Sequence, residues 1–195
     1  MIVIALDTNF VVPHVFHGKT RNHELNILDR MLFLQSKGLI KVLLHRTTQA
    51  EIYAILKAGR FKIRSRSEGK RVKKKIPHHV IMNFVHIYSD LFDVNFMKTL
   101  RNVDLSDEDT YKDNLFIEVK YHLGMGIDQS KEYLRNKGII IDNCNNLYDF
   151  HIMVTAIQDN ADILVTANVH DFPDPLGKCR IVSPQNLPHL LPTYP

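Results

Sequence analysis

The sequence predicts an α/β protein built on a parallel sheet. Two patterns carry that expectation. Short unbroken apolar runs recur along the chain, as strands buried on both faces should, and segments of helical periodicity separate them. Parallel neighbours cannot be joined by tight hairpins, so strands alternating with helices imply right-handed crossovers that bring the strands' carboxyl ends to one edge.

Ile2 to Leu6 is the first such run and ends at Asp7. A loop and then a helix from His23 to Gln35 follow, with Leu25, Leu28 and Leu32 at helical spacing and Gly38 as its stop. Leu39 to Leu44 is the second strand. Thr47 or Thr48 can cap a helix that carries Glu51 beside the apolar stripe Ile52, Ile55 and Leu56. Pro77 begins a long amphipathic helix with Val80, Phe84, Ile87 and Leu91 on one row. Val103 to Gly138 is more polar, with helices expected through Phe116 to Leu123 and Ser130 to Lys137. Ile139 to Ile141, Ile163 to Thr166 and Arg180 to Val182 complete the strands, and Leu147 to Gln158 is a helix.

The 195 residues, 45% hydrophobic and 24% charged, suit one domain with an ordinary core. No apolar run approaches the roughly 20 residues needed to cross a bilayer, and the opening MIVIALDTNF lacks the basic start of a secretory signal, so a cytoplasmic protein without membrane contact is expected. Cys144 and Cys179 fit neither a disulfide framework nor a zinc knuckle and are expected as reduced thiols packed like small hydrophobes. The net charge of +4 hides an asymmetry. Nine cations (Arg60, Lys62, Arg64, Arg66, Lys70, Arg71, Lys73, Lys74 and Lys75) face only Glu68 between residues 60 and 75, leaving a mildly acidic body. Such a run reads as a basic loop that touches a polyanion.

Four acids fall where the expected topology gathers them: Asp7 after the first strand, Glu51 and Asp149 at helix starts, and Asp171 after the fourth strand. Each alone has an ordinary explanation as a turn former, helix acid or loop residue, and the helix dipole alone favours Asp149 by about 0.3–1 kcal/mol. Together they form a cluster whose mutual repulsion a hard divalent cation would relieve. Oxygen donors suit magnesium or manganese better than do the histidine pairs His14/His17 and His78/His79. Nucleophile-elbow, P-loop and dinucleotide-binding glycine patterns are missing, so acyl transfer, Walker-type nucleotide hydrolysis and hydride transfer lack support.

LDTN at Leu6 to Asn9, TTQAEI at Thr47 to Ile52, LYDFHIMVTAI at Leu147 to Ile157 and ADILVTANVHDFP at Ala161 to Pro173 together resemble the four signature regions of PIN-domain nucleases. The resemblance implies a single PIN-like domain over residues 1–195: a three-layer α/β/α fold with a central parallel sheet. A basic loop at 60–75 and a mainly helical insertion at about 77–138 depart from compact members. It further implies a metal-dependent endonuclease acting on phosphodiester bonds, chiefly in RNA, with Asp7, Glu51, Asp149 and Asp171 binding Mg2+ or Mn2+. Asn9, Thr166 and Asn168 would support them, and Asp142 is a weaker fifth candidate. Relatives of toxin type suggest the toxin of a toxin-antitoxin pair, with an antitoxin or other protein partner, and a homodimer. The alternative is a catalytically silent PIN-like nucleic-acid-binding or scaffold protein.

Overall fold

The computed structural model describes residues 1–16, 22–45, 47–48, 51–52, 62–64, 71–73, 124–141, 144 and 146–193. The helix expected from Pro77, that expected through Phe116 to Leu123, and Asp142 lie outside them. In chain order the elements are β1 (Ile2–Leu6), α1 (Thr8–Phe16), α2 (Asn22–Ser36), β2 (Ile40–Leu43), β3 (Lys62–Arg64), β4 (Arg71–Lys73), α3 (Ile127–Asn136), α4 (Leu147–Gln158), β5 (Ile163–Val165) and β6 (Arg180–Val182). Residues 47–48 and 51–52 are also helical, and 3-10 turns occupy Val169–Asp171 and Leu187–His189.

The sheet has the order β2-β1-β5-β6 and every pair in it is parallel, as the alternation of strands and helices requires. Ile4 stands beside Ile163 and Leu6 beside Val165, so the β1 and β5 ends that carry polar residues are level with each other. The strand order reverses at β1, whose partner β2 lies on one side and β5 on the other. A crevice at the carboxyl ends of strands where the order reverses is the place at which open α/β sheets bind ligands.

Both sheet faces are buried. Ala5, Leu164 and Ile181 pack with Phe150, Ile152, Met153 and Val154 of α4, while the alternating positions Ile4, Leu6, Ile163 and Val165 are also buried, and α2 packs on β2. α4 is covered on all sides from Phe150 to Ala156, with α3 against it. At these areas each fully buried large apolar side chain contributes about 1.5–3 kcal/mol, which is why the strands read as continuous hydrophobic runs. At the sheet's β6 edge, the Ile181 N–H donates to Asp174 Oδ1 at 3.2 Å, which blunts the edge against pairing with another chain.

Three helices end in the same way. After α2, α3 and α4 the next-but-one residue adopts a left-handed conformation (Gly38, φ 67°; Gly138, φ 77°; Asn160, φ 53°), and two backbone N–H groups turn back onto the last turn's carbonyls. This Schellman geometry needs glycine or asparagine at the left-handed position, and Gly38 stops α2 as expected.

The same motif overturns one expected strand. Ile139 spends its N–H on Leu134 O at 3.0 Å to close α3, so residues 139–141 are irregular, with Ile139 buried and Ile140 exposed. The loop expected after Asp7 is instead α1, because the Asp7 carbonyl accepts from Phe10 N at 3.1 Å and Val11 N at 3.2 Å, and burial of Phe10, Val11 and Val12 overrides the β-branched, proline-containing sequence. α3 starts at Ile127, three residues before the expected Ser130, where Gln129 Oε1 accepts from Gly126 N at 2.9 Å. Thr47 and Thr48, expected as alternative caps, are themselves helical. The segment expected as a basic loop contains an antiparallel ribbon of β3 and β4.

Cys144 and Cys179 are free and buried. Among the described residues no helix is long and apolar enough to cross a membrane.

Candidate metal and nucleic-acid site

Asp7 follows directly on β1, 1% exposed, and its carboxylate collects three donors from two stretches of chain. Thr8 N–H donates to Oδ1 at 2.6 Å, the Thr166 hydroxyl to Oδ2 at 2.7 Å, and the Asn9 amide to Oδ2 at 3.4 Å. Thr8 and Asn9 open α1, so the acid also sits at a helix N-terminus, where a negative charge is favoured. Burial nevertheless wins over these bonds and raises the Asp7 pKa above its ordinary value of 3.8.

Glu51 reaches the same place from a helical segment docked on the end of β1. The Thr48 hydroxyl donates to Leu6 O at 3.1 Å, and the Thr8 hydroxyl donates to Glu51 Oε2 at 2.6 Å. Burial first, then the negative charges of Asp7 and Asp149, push the Glu51 carboxyl from 4.5 up to about 7, although the Thr8 bond opposes them.

Asp149 stands in the first turn of α4, which Asn146 caps by accepting the Tyr148 N–H at 3.0 Å. Burial, then Asp7, then Asp171 raise its pKa from 3.8 to about 7. The Cys144 thiol approaches Asp149 Oδ2 at 3.9 Å, and burial raises that thiol's own pKa. Asp171 ends the 3-10 turn after β5 and is exposed on the solvent side.

The four acids named from the sequence are therefore close enough to feel one another's charge: Glu51 with Asp7 and Asp149, Asp149 with Asp7 and Asp171. Three of them hold protons more tightly than free carboxyls do. Among the described residues no group of three His, Cys, Asp or Glu side chains is already placed to hold a metal ion. All four donors are carboxylates, the chemistry that suits a hard ion such as Mg2+ or Mn2+.

Of the supporting residues, Asn9 and Thr166 bond Asp7 directly. Asn168 takes part through its backbone, whose N–H donates to Thr166 Oγ at 3.0 Å and so orients the hydroxyl that Asp7 accepts. Thr8, Thr48, Cys144 and Asn146 were not singled out by sequence. For Thr8 the available signal was adjacency to Asp7 in LDTN; the other three become visible only when the chain is folded.

Of the nine basic residues, Lys62, Arg64, Arg71 and Lys73 lie on the β3–β4 ribbon, and Arg60, Arg66, Lys70, Lys74 and Lys75 lie outside the described residues. The register opposes Lys62 to Lys73 and Arg64 to Arg71, with Ile63 opposed to Val72 between them. A strand's period of two assigns the four basic positions to one face of the ribbon.

Compared with protein-family models, curated proteins and solved structures, the chain finds no match.

Proposed function

We propose that this protein is a metal-dependent endonuclease of PIN-like, three-layer architecture that hydrolyses phosphodiester bonds, with RNA as its principal substrate. The observation that carries the reading is the convergence of Asp7, Glu51 and Asp149, all with raised pKa values, at the point where the strand order reverses. Burying carboxylates together costs stability, and a bound cation converts that cost into affinity. Asp7, Glu51, Asp149 and Asp171 would hold Mg2+ or Mn2+. When bound, such an ion lowers the pKa of its water and stabilises charge on the phosphoryl oxygens.

The protein's own part is positional. Thr166, Thr8 and Asn9 fix Asp7, Thr8 and Thr48 tether the Glu51 segment, and the capped start of α4 fixes Asp149. Asp171, exposed, stands on the side from which substrate enters. The basic segment would hold the phosphate backbone with little base preference, since phosphate contacts orient without reading sequence. A cytoplasmic setting, an antitoxin or other protein partner, and a homodimer belong to the same proposal.

The competing reading is a catalytically silent PIN-like nucleic-acid-binding or scaffold protein. Incubating the purified protein with mixed RNA and DNA pools in magnesium, manganese or chelator, beside Asp149→Asn, separates the two. Metal-dependent cleavage that Asp149→Asn abolishes supports the nuclease. Binding without cleavage under every condition supports the silent protein.

A further inference from the structure

A residue that joins two members of the acidic cluster is not itself an acid. Thr8, 1% exposed, spends its backbone N–H on Asp7 Oδ1 and its hydroxyl on Glu51 Oε2, both at 2.6 Å. These partners are separated by 44 positions in the chain, and Thr8 bonds to both. We propose that Thr8 is a positioning residue of the site, holding the Glu51 carboxylate in the orientation from which it shares a divalent cation with Asp7. The proposal deepens the nuclease reading and rests on it.

Three physical points support it. Glu51 and Asp7 carry like charges, so an unrestrained Glu51 side chain would lower its energy by turning away from Asp7. A hydroxyl bonded to a carboxylate is a charge-assisted bond, short and strong, and it opposes that turn. Thr8 is also β-branched and sits in the first turn of α1, which restricts its χ1 and makes it a stiff arm. Because the hydroxyl occupies Oε2, the second oxygen, Oε1, is left as a donor to an ion. The Thr48 hydroxyl on Leu6 O fixes the backbone of the Glu51 segment, and Thr8 then fixes the end of its side chain.

The test is Mn2+ titration by calorimetry on the full chain, with the parent, Thr8→Val and Thr8→Ser. Valine removes the hydroxyl and keeps both the shape and the N–H that Asp7 accepts. Serine restores the hydroxyl. Outer groups that orient metal ligands typically contribute 10–100-fold to affinity, so Thr8→Val should weaken Mn2+ binding by about that factor while Thr8→Ser returns it close to the parent value. A double-mutant cycle with Glu51→Ala adds a readout that a merely structural role would leave untouched: once Glu51 is gone, Thr8→Val should cost no further affinity. If Thr8→Val does not fold, Thr8→Ala takes its place in the same cycle. Parental affinity in Thr8→Val, equal losses in the serine and valine variants, or additive losses in the cycle would each overturn the role of Thr8 alone. A parent that binds no Mn2+ would overturn the nuclease reading and this inference with it.

Discussion

Glu51→Gln should make the metal-free protein more stable at alkaline pH. The glutamine carbonyl can still accept the Thr8 hydroxyl, so the substitution removes a charge and leaves the hydrogen bond. In the folded chain the Glu51 carboxyl titrates at about 7, raised from 4.5 by burial and then by Asp7 and Asp149. A carboxyl with a raised folded pKa contributes stability that is full below the unfolded value, declines as pH climbs from about 4.5 to 7, and is lost above that. Keeping it ionised at pH 8 costs about 3 kcal/mol for a midpoint moved from 4.5 to about 7. For a chain of this size that corresponds to about 6–12 °C in melting temperature. The assay is urea and thermal unfolding followed by circular dichroism, in chelator, at pH 4 and pH 8. Parent and variant should nearly coincide at pH 4, below both midpoints, and Glu51→Gln should be the more stable at pH 8. Adding Mn2+ at pH 8 should reverse the order, because only the parent keeps all four carboxylates. A variant no more stable than the parent at pH 8 in chelator would refute the argument that burial beside Asp7 and Asp149 makes an ionised Glu51 costly.

Three further outcomes are expected. Thr166→Val removes the hydroxyl partner of a buried carboxyl group and should destabilise the fold by about 1–3 kcal/mol, measured by urea unfolding, since an unmade bond to a buried polar group costs that much. Arg30→Ala should loosen the C-terminal segment, whose carbonyls at Pro188, Leu191 and Pro192 accept from the Arg30 guanidinium at 3.4, 3.5 and 3.1 Å; faster hydrogen exchange confined to residues 187–193 would show it, and unchanged exchange would count against the clamp. In an Asp149→Asn background, replacing Lys62, Arg64, Arg71 and Lys73 together with glutamine should reduce the salt slope for single-stranded RNA by about 3, at roughly 0.7 per phosphate contact. Fluorescence anisotropy at several salt concentrations measures it, and an unchanged slope would remove the ribbon from the substrate path.

The parts of this protein that follow from local pattern were legible in the sequence. Ile2 to Leu6 reads as a buried strand because both of its faces are apolar, and Gly38 marks a helix end because few residues tolerate a left-handed backbone. Asp7, Glu51, Asp149 and Asp171 could be named because strand ends and helix starts in a parallel sheet share a rim. Residues 139–141 mislead for the same local reason: three apolar residues resemble a strand, and only the turn of Gly138 reveals that the Ile139 N–H is already committed. α1 is hidden by its own β-branched composition, which tertiary burial overrules.

Tertiary structure alone decides which hydroxyl meets which acceptor. Thr8 to Glu51, Thr166 to Asp7 and Thr48 to Leu6 each close a gap of more than 40 positions in the chain, and hydrogen bonds of that kind leave no periodic trace in sequence. Composition determines that carboxylates are present; burial at one crevice determines that their charges oppose each other, because the field between them depends on distance and on the water excluded around them.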